Sequence, residues 1–258
     1  MTGKSSVVDR TREMEERSWW DLWNTSYRTK DDNDAISGEL FARAADAING
    51  ISRHRDSRIL EIACGTGTLS RMLTYSSYHG LDISPAAIEI ARQKSEALSL
   101  EAGVSRPTYE AADFHEWSLP AEGFDLTVCV DAISSIRDQP IAMKKMAQSL
   151  RGGGRLILTT INRYVYDRIR RTSTVRLESG PVAHWLSRGE LRSLVEGAGL
   201  TIERSETIMP RGNLGFLRLV NSPRLNEAFS PRMQDFLKRM KERAGLGQYS
   251  VVVARKKG

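Results

Sequence analysis

Three acidic residues follow short apolar segments in the first half of the chain, and each could bind part of a nucleoside. Glu61 precedes a glycine-rich turn, Cys64-Gly65-Thr66-Gly67. Asp82 stands 21 residues after Glu61. The glycines would let the backbone pass close beneath a ligand, and a carboxylate at that offset can accept hydrogen bonds from both hydroxyls of a ribose. Asp113, beside Phe114, suits an adenine amino group with an apolar side chain against the ring. The spacing predicts a nucleoside site across three successive strand ends.

Two features of the turn disfavour a phosphate-bearing nucleotide. A dinucleotide fingerprint needs a third glycine three residues after Gly67, and that position is Ser70. The carboxylate of Glu61 would repel a pyrophosphate, whereas it suits a ligand that carries an ammonium group. The chain also lacks the Gly-x-x-x-x-Gly-Lys phosphate loop. An NAD enzyme or a nucleotide-sugar enzyme is therefore disfavoured.

The elements that must position these residues alternate between strands and helices. A helix is expected after the turn, through Met72, and another after Ser84-Pro85, where serine caps and proline fills the first turn. A helix ending at Gly152-Gly153-Gly154 and a capping box at Ser187 and Glu190 follow. The alternation predicts an α/β fold, with a mostly parallel sheet and helices on both faces. The predicted strands are 58–63, 78–82, 108–112, 124–130, 155–160, 200–208 and 249–254.

Three segments do not fit this alternation of strands and helices. Residues 1–50 are predicted to form a helical extension, with two helices between Glu15 and Ile48 that a polar break at 29–34 separates. The remainder, 51–258, is interpreted as one domain with substrate-side insertions at 162–183 and 211–247. The first insertion carries five arginines, which form either a solvated face or a site for an acidic substrate.

Five successive motifs resemble those of class I S-adenosylmethionine-dependent methyltransferases. The similarity covers about residues 55–208 and returns at the last strand. It is strongest to the branch that contains quinone-biosynthesis enzymes and many small-molecule O-, N- and C-methyltransferases. It implies a Rossmann-like seven-stranded sheet whose last strand is antiparallel. The motifs are Glu61–Gly67, Gly80–Ser84, Ala112–Phe114, Phe124–Asp131 and Leu150–Leu156.

Two departures from the family pattern stand out. Ala63 replaces the first glycine of the turn. The stretch from Asp131 to Ile136 contains no histidine, although the quinone-biosynthesis branch often has a Glu-His pair there. A histidine base at this point is therefore not expected, and phenol chemistry of the quinone type is less favoured.

The resemblance implies S-adenosyl-L-methionine as cofactor and assigns a role to each motif. Asp82 would hold the ribose, Asp113 and Phe114 would meet the adenine, and the turn would line the methionine. Asp131 is the candidate general base, although a helix cap or a cofactor contact would explain it as well. The expected cofactor-binding residues are Trp23, Tyr27, Glu61, Ala63, Cys64, Gly65, Thr66, Gly67, Asp82, Ile83, Asp113, Phe114, Val130 and Asp131.

An aromatic cluster precedes the first strand, where this family often folds a lid over the cofactor. It consists of Trp19, Trp20, Trp23 and Tyr27. Such a stripe either packs in the core or covers the site, where aromatic faces would stabilise a sulfonium. Our hypothesis is that Trp23 and Tyr27 form the cover. His184, near the second capping motif, could line the pocket or be purely structural.

Composition limits the alternatives. The chain has 258 residues, 40% of them hydrophobic and 27% charged, which is typical of a globular protein. No apolar run approaches the roughly 20 residues of a membrane span, and the two cysteines and four histidines show no metal-ligand spacing. We expect a cytoplasmic enzyme without metal or membrane contact.

The net charge of +6 is compatible with several classes of binding partner. We expect a small-molecule acceptor, with an anionic one as an option, while the oligomeric state stays open. The alternatives are an RNA methyltransferase, which this charge would suit although no nucleic-acid module is visible, and a non-catalytic cofactor-binding or partner-binding protein on the same scaffold.

Overall fold

A seven-stranded sheet forms the centre of the protein in a computed structural model that describes residues 14–27, 35–50, 56–98, 105–170, 184–208 and 229–258. The strand order is β3-β2-β1-β4-β5-β7-β6. Strands β1 to β5 pair in parallel, and β7 runs antiparallel to both β5 and β6. This confirms the predicted Rossmann-like architecture. The strands are β1 (Arg58–Ile62), β2 (Ser77–Asp82), β3 (Thr108–Ala111), β4 (Phe124–Val130), β5 (Leu150–Ile161), β6 (Leu200–Ile208) and β7 (Tyr249–Lys256).

Helices cover both faces of the sheet. The first, α1, spans 14–22 and continues into a π-helical turn, Trp23–Tyr27. Apolar side chains of the sheet divide between two cores, one on each face, so the central strands carry continuous apolar runs. The other helices are α2 (Ala35–Asn49), α3 (Pro85–Glu96), α4 (Gln139–Ser149), α5 (Arg163–Arg170), α6 (Arg188–Gly197) and α7 (Pro231–Arg243).

Both predicted helix starts are confirmed. The Ser84 hydroxyl accepts a hydrogen bond from the amide of Ala87 at 3.1 Å, and Pro85 occupies the first turn of α3. At α6 the capping box is complete, because the Ser187 amide donates to Glu190 at 2.7 Å and the Glu190 amide donates to the Ser187 hydroxyl at 3.3 Å. The Ser187 hydroxyl also donates to the Glu190 carboxylate at 2.6 Å, and this bond, followed by that from the Ser187 amide, lowers the pKa of the Glu190 carboxyl.

Two local predictions are wrong. No regular helix follows the glycine turn, because Gly65 and Gly67 adopt left-handed backbone angles (φ +53° and +72°) and only a short 3-10 turn, Leu69–Met72, remains. The glycines at 152–154 lie inside β5 rather than ending a helix. A Cβ at Gly154 would lie 2.9 Å from the carbonyl oxygen of Phe124, so this glycine permits close strand pairing.

The structure describes only parts of the three segments that do not fit the alternation of strands and helices. The first insertion contributes α5, and its residues 171–183 lie outside the described residues. The second contributes α7, and residues 209–228 lie outside the described residues as well, as does the whole polar break at 29–34. In the described parts of the chain, no helix combines the length and the apolar character needed to cross a bilayer.

Candidate active site

The end of β2 is organised around the carboxylate of Asp82, which is only 8% exposed. One of its oxygens accepts the amide of Gly65 at 2.8 Å, and the other accepts the amide of Ser84 at 2.9 Å. The same side chain therefore fixes the glycine turn after β1 and the start of α3.

The turn after β1 is a sharp, bare loop. Ala63, Gly65 and Gly67 all have positive φ, at 56°, 53° and 72°. Thr66 is buried in this loop, and its hydroxyl accepts a hydrogen bond from the Lys94 ammonium at 3.1 Å. Gly65 and Gly67 add no side chain to this loop, which favours close approach of a ligand.

A layer of phenols and hydroxyls supports the turn from below. The Tyr109 hydroxyl lies 2.6 Å from that of Ser70, and a Cβ at Gly67 would stand 2.7 Å from it. The Tyr78 hydroxyl donates to the buried carboxylate of Glu61. Burial, followed by the charge of Glu61, raises the pKa of Tyr78 well above its usual value, and burial raises that of Tyr109. Both phenols therefore remain protonated. Ser70, at the position where a dinucleotide site would have glycine, hydrogen-bonds to Tyr109 and to the carbonyl of Gly67.

The third strand-end carboxylate, Asp113, is held by a partner that the sequence did not reveal. Its side chain accepts the amide of His115 at 2.8 Å and a hydrogen bond from the guanidinium of Arg137. Arg137 also forms an ion pair with Glu16 of α1 at 3.2 Å. Arg137 thus joins the end of β3 to the N-terminal helix.

A cavity of about 360 Å³ lies beside Asp113. Its size falls in the range of small-ligand sites. It opens between the N-terminal helix and the residues that follow β3, where the sequence predicts the adenine. Its lining consists of Arg17, Glu110, Ala112, Asp113, Glu116, Trp117 and Ser118.

Helix α1 is attached to the same edge of the sheet. The Asp21 carboxylate accepts the Ser84 hydroxyl at 2.5 Å and the Ala86 amide at 3.2 Å. Trp23 stacks on Trp19, with ring centroids 5.4 Å apart and planes 12° apart. The backbone of Tyr27 ends the π-helical turn, and its side chain lies outside the described residues. The aromatic cluster therefore belongs to an element docked beside Asp82.

The remaining predicted residues flank the centre of this edge. Val130 is buried in the sheet. Phe114, expected beside the adenine, packs instead in the core on the other face, with the Lys145 ammonium 5.5 Å from its ring centroid, and it does not line the cavity beside Asp113. Ile83 is half-buried directly after β2. Asp131 follows β4 with φ +54°, and its amide is fixed by the carbonyl and the hydroxyl of Thr159 at 3.0 and 2.9 Å.

The other groups with reactive chemistry are placed as follows. Cys64 is buried inside the turn, and Cys129 is buried within β4, where burial raises the pKa of its thiol. His184 is exposed, and its backbone amide donates to the Ser134 carbonyl at 2.8 Å. Among the described residues, no group of three or more histidine, cysteine and acidic side chains could hold a metal ion.

The fold is Rossmann-like, as in many enzymes that bind nucleosides. Comparison with known proteins identifies the family. The methyltransferase-domain family matches residues 36–205, and the chain belongs to it. A ubiquinone biosynthesis O-methyltransferase of Aromatoleum aromaticum is 31% identical over 109 residues, which is 41% of this chain and 44% of that protein. One from a Chelativorans species is 30% identical over 160 residues, 61% of this chain and 57% of that protein. The alignments thus span about half the length of these relatives.

The fold has counterparts among solved structures. An S-adenosylmethionine-dependent methyltransferase of Mesorhizobium loti superposes with a TM-score of 0.59 at 20% identity, covering 86% of this chain and all of that one. Membership of this family implies S-adenosylmethionine as the cofactor. The site fits it, because the turn is bare and the buried carboxylates stand at successive strand ends.

Proposed function

We propose that this protein is a cytoplasmic methyltransferase that moves the methyl group of S-adenosylmethionine to an O, N or C atom of a small molecule. The observation that carries the proposal is the bare turn after β1 with the buried carboxylates Asp82 and Asp113 at the next two strand ends. Cys64 and Cys129 are buried and form no disulfide, which is consistent with a reducing compartment. The O-methyltransferase names of the relatives support a small-molecule acceptor.

In this proposal the strand ends divide the cofactor between them. Asp82 accepts the ribose hydroxyls while its two amide bonds keep the turn in place. Asp113 and the adjoining cavity take the adenine, and Phe114 stiffens the loop from the core side. Gly65 and Gly67 pass beneath the methionine part. Glu61, held by Tyr78 under the turn, contributes negative charge near the expected ammonium group.

The sulfonium of the bound cofactor supplies an already activated methyl group. The residues of this chain then have to align the acceptor with it and exclude water, and such alignment is worth about 7–11 kcal/mol in favourable cases. When bound, the cofactor would give its methyl group to a lone pair of the acceptor and would keep the electrons of the carbon–sulfur bond. Where the acceptor is a hydroxyl, its proton goes to Asp131, which the Thr159 contacts hold at the end of β4.

We also propose a domain organisation in which residues 1–50 act as a helical lid. The contacts of α1 with the ends of β2 and β3, through Asp21 and Glu16, support this part of the proposal. Residues 51–258 form the catalytic domain. We propose that the segments 162–183 and 211–247 contribute acceptor specificity, because their sequences do not fit the alternation of strands and helices that builds the sheet.

Replacing Asp82 with alanine tests the proposal directly. The substitution removes a charged acceptor of ribose hydroxyls, and hydrogen bonds to charged groups are worth about 1.5–3 kcal/mol. We expect the dissociation constant of S-adenosylmethionine to rise about 10- to 150-fold in calorimetric titration.

Asp125→Ala is the matched control. Its carboxylate also accepts a backbone amide, that of Arg58 at 2.8 Å, but it stands near the start of β4 at the opposite edge of the sheet. This variant should lose stability to a similar degree and keep the affinity of the unmodified protein. Native affinity in a folded Asp82→Ala variant would remove Asp82 from the site and refute the proposed cofactor arrangement.

A further inference from the structure

Helix α7 carries an apolar stripe on its outer surface. Phe229, just before the helix, and Met233, Phe236 and Met240 within it follow one another at intervals of four, three and four residues, so they share one helical face. They are 38%, 44%, 57% and 52% exposed, respectively. Large apolar side chains grouped in this way on a surface mark a site of interaction, whereas single ones do not.

The opposite side of α7 faces the protein and is polar. Lys238 forms an ion pair with Glu39 of α2 at 3.2 Å, and Glu242 forms one with Arg43 at 2.7 Å. The Thr207 hydroxyl of β6 donates to the backbone carbonyl of Glu242 at 2.6 Å. A surface helix normally buries its apolar face and exposes its charges. Apart from Leu237, which is half-buried, the docked side of α7 is charged, whereas the stripe stays exposed, so docking of the helix does not account for the stripe.

Basic side chains border the stripe. Arg232, Arg239 and Arg243 lie seven and four residues apart, along one edge of the same exposed face. Arg239 is paired with Asp235 at 3.1 Å. In the described part of the chain, no ion pair engages Arg232 or Arg243. An outer face that combines methionine and phenylalanine with arginine is the pattern of helices that lie in the interface of anionic membranes.

The size and shape of this surface favour a lipid bilayer over a protein. A stable protein interface buries about 800 Å² on each partner. Four half-exposed side chains of this kind offer roughly 400 Å², given the 150–250 Å² that a large aromatic residue can bury. The stripe lies on a convex helix, and a bilayer can take up such a helix without a complementary groove.

We propose that the outer face of α7 binds the surface of an anionic membrane, with Met233, Phe236 and Met240 entering the headgroup region and the flanking arginines contacting lipid phosphates. This is peripheral binding, and it needs no spanning segment. It departs from the expectation, drawn from hydropathy alone, that the chain makes no contact with a membrane. The inference does not depend on the identity of the acceptor.

Co-sedimentation of the full chain with lipid vesicles tests this proposal. Vesicles of phosphatidylcholine with about one third phosphatidylglycerol should bind the protein, and binding should weaken as salt screens the arginines. Vesicles of phosphatidylcholine alone should bind it much less. The double variant Met233→Ser/Phe236→Ser should lower the partition coefficient at least about tenfold, because it removes the inserted side chains. Arg232→Gln/Arg243→Gln should lower it about tenfold or more, at about 1 kcal/mol per charge.

Two control variants carry the same chemical changes elsewhere on the surface. Ile141→Ser removes a 59% exposed apolar side chain from α4, and Arg192→Gln removes an exposed charge from α6. Both should bind vesicles like the unmodified protein. The proposal is overturned if anionic vesicles do not bind the chain, or if the stripe variants bind as well as the controls. A dimer that light scattering detects and that Met233→Ser/Phe236→Ser abolishes, without vesicle binding, would assign the face to a second copy instead.

Discussion

At the scale of single residues, the turn after β1 stores backbone strain at Ala63. Its φ of +56° lies in the left-handed region, where a side chain costs roughly 1–2 kcal/mol and glycine costs little. We expect Ala63→Gly to raise the free energy of unfolding by about 1 kcal/mol, after the greater flexibility of glycine in the unfolded chain is subtracted. Urea denaturation followed by circular dichroism would measure the change.

The reverse result is expected for Ala87→Gly. Ala87 is fully buried in the first turn of α3 with ordinary helical geometry, so glycine there should cost about 1 kcal/mol. Equal destabilisation by both substitutions would contradict the assignment of strain to position 63. The pair separates backbone strain from the general effect of an added glycine.

The sequence predicted the residues of the turn and of the strand ends, but not all of their partners. The placement of Asp82 followed from its distance along the chain after a glycine turn, since consecutive parallel strands end at the same edge. The contacts of Asp113 with Arg137, and of Arg137 with Glu16, join three separate segments. No periodic pattern encodes such contacts, because they depend on how the segments pack.

At the scale of elements, helix α1 is the part whose function most needs a test. Its Asp21 and Glu16 contacts bring the aromatic cluster to the edge of the sheet where the cofactor is proposed. We expect Trp23→Ala/Tyr27→Ala to raise the dissociation constant of S-adenosylmethionine or abolish turnover while the fold persists, because the aromatic cover would be lost. Calorimetric titration and a thermal melt would separate binding from stability.

Leu22→Ala provides the control for this prediction. Leu22 belongs to the same helix and is 57% exposed, so its truncation should leave both affinity and melting temperature unchanged. Unaltered binding and kinetics in a folded Trp23→Ala/Tyr27→Ala variant would show that the aromatic residues pack on the protein without covering the cofactor.

Elements were predictable where the hydrophobic pattern alone decides them. The strand limits at Phe124–Val130 agree with the structure because a mostly apolar run between turn residues specifies them. Those at Leu200–Ile208 also agree, although this strand is largely polar. The glycines at 152–154 were misread, since glycine both ends helices and permits close strand contact. The outward orientation of α7 was not predicted either, because periodicity defines an apolar face without saying which neighbour covers it.

At the scale of the whole molecule, the strand order explains why the site lies where it does. From β1 the chain moves outward to β2 and β3, and then returns to place β4 on the other side of β1. Ligands of open α/β sheets bind at such a reversal, beyond the carboxyl ends of the strands. The glycine turn follows β1 at this reversal, and Asp131 follows β4 beside it. The topology therefore brings the cofactor turn and the candidate base to one crevice.

A ligand that binds only the folded chain stabilises it against unfolding. The change in melting temperature therefore distinguishes binding of S-adenosylmethionine from binding of a dinucleotide. At a concentration 100 times its dissociation constant, S-adenosylmethionine should add about 2.7 kcal/mol. For a domain of this size that corresponds to a rise of about 5–10 °C in melting temperature. NAD at the same concentration should give no rise, because Glu61 and Ser70 do not suit a pyrophosphate, and Asp82→Ala should reduce the rise produced by S-adenosylmethionine. A larger shift with NAD would contradict the site geometry, since a pyrophosphate would then lie on a turn that Glu61 and Ser70 do not suit.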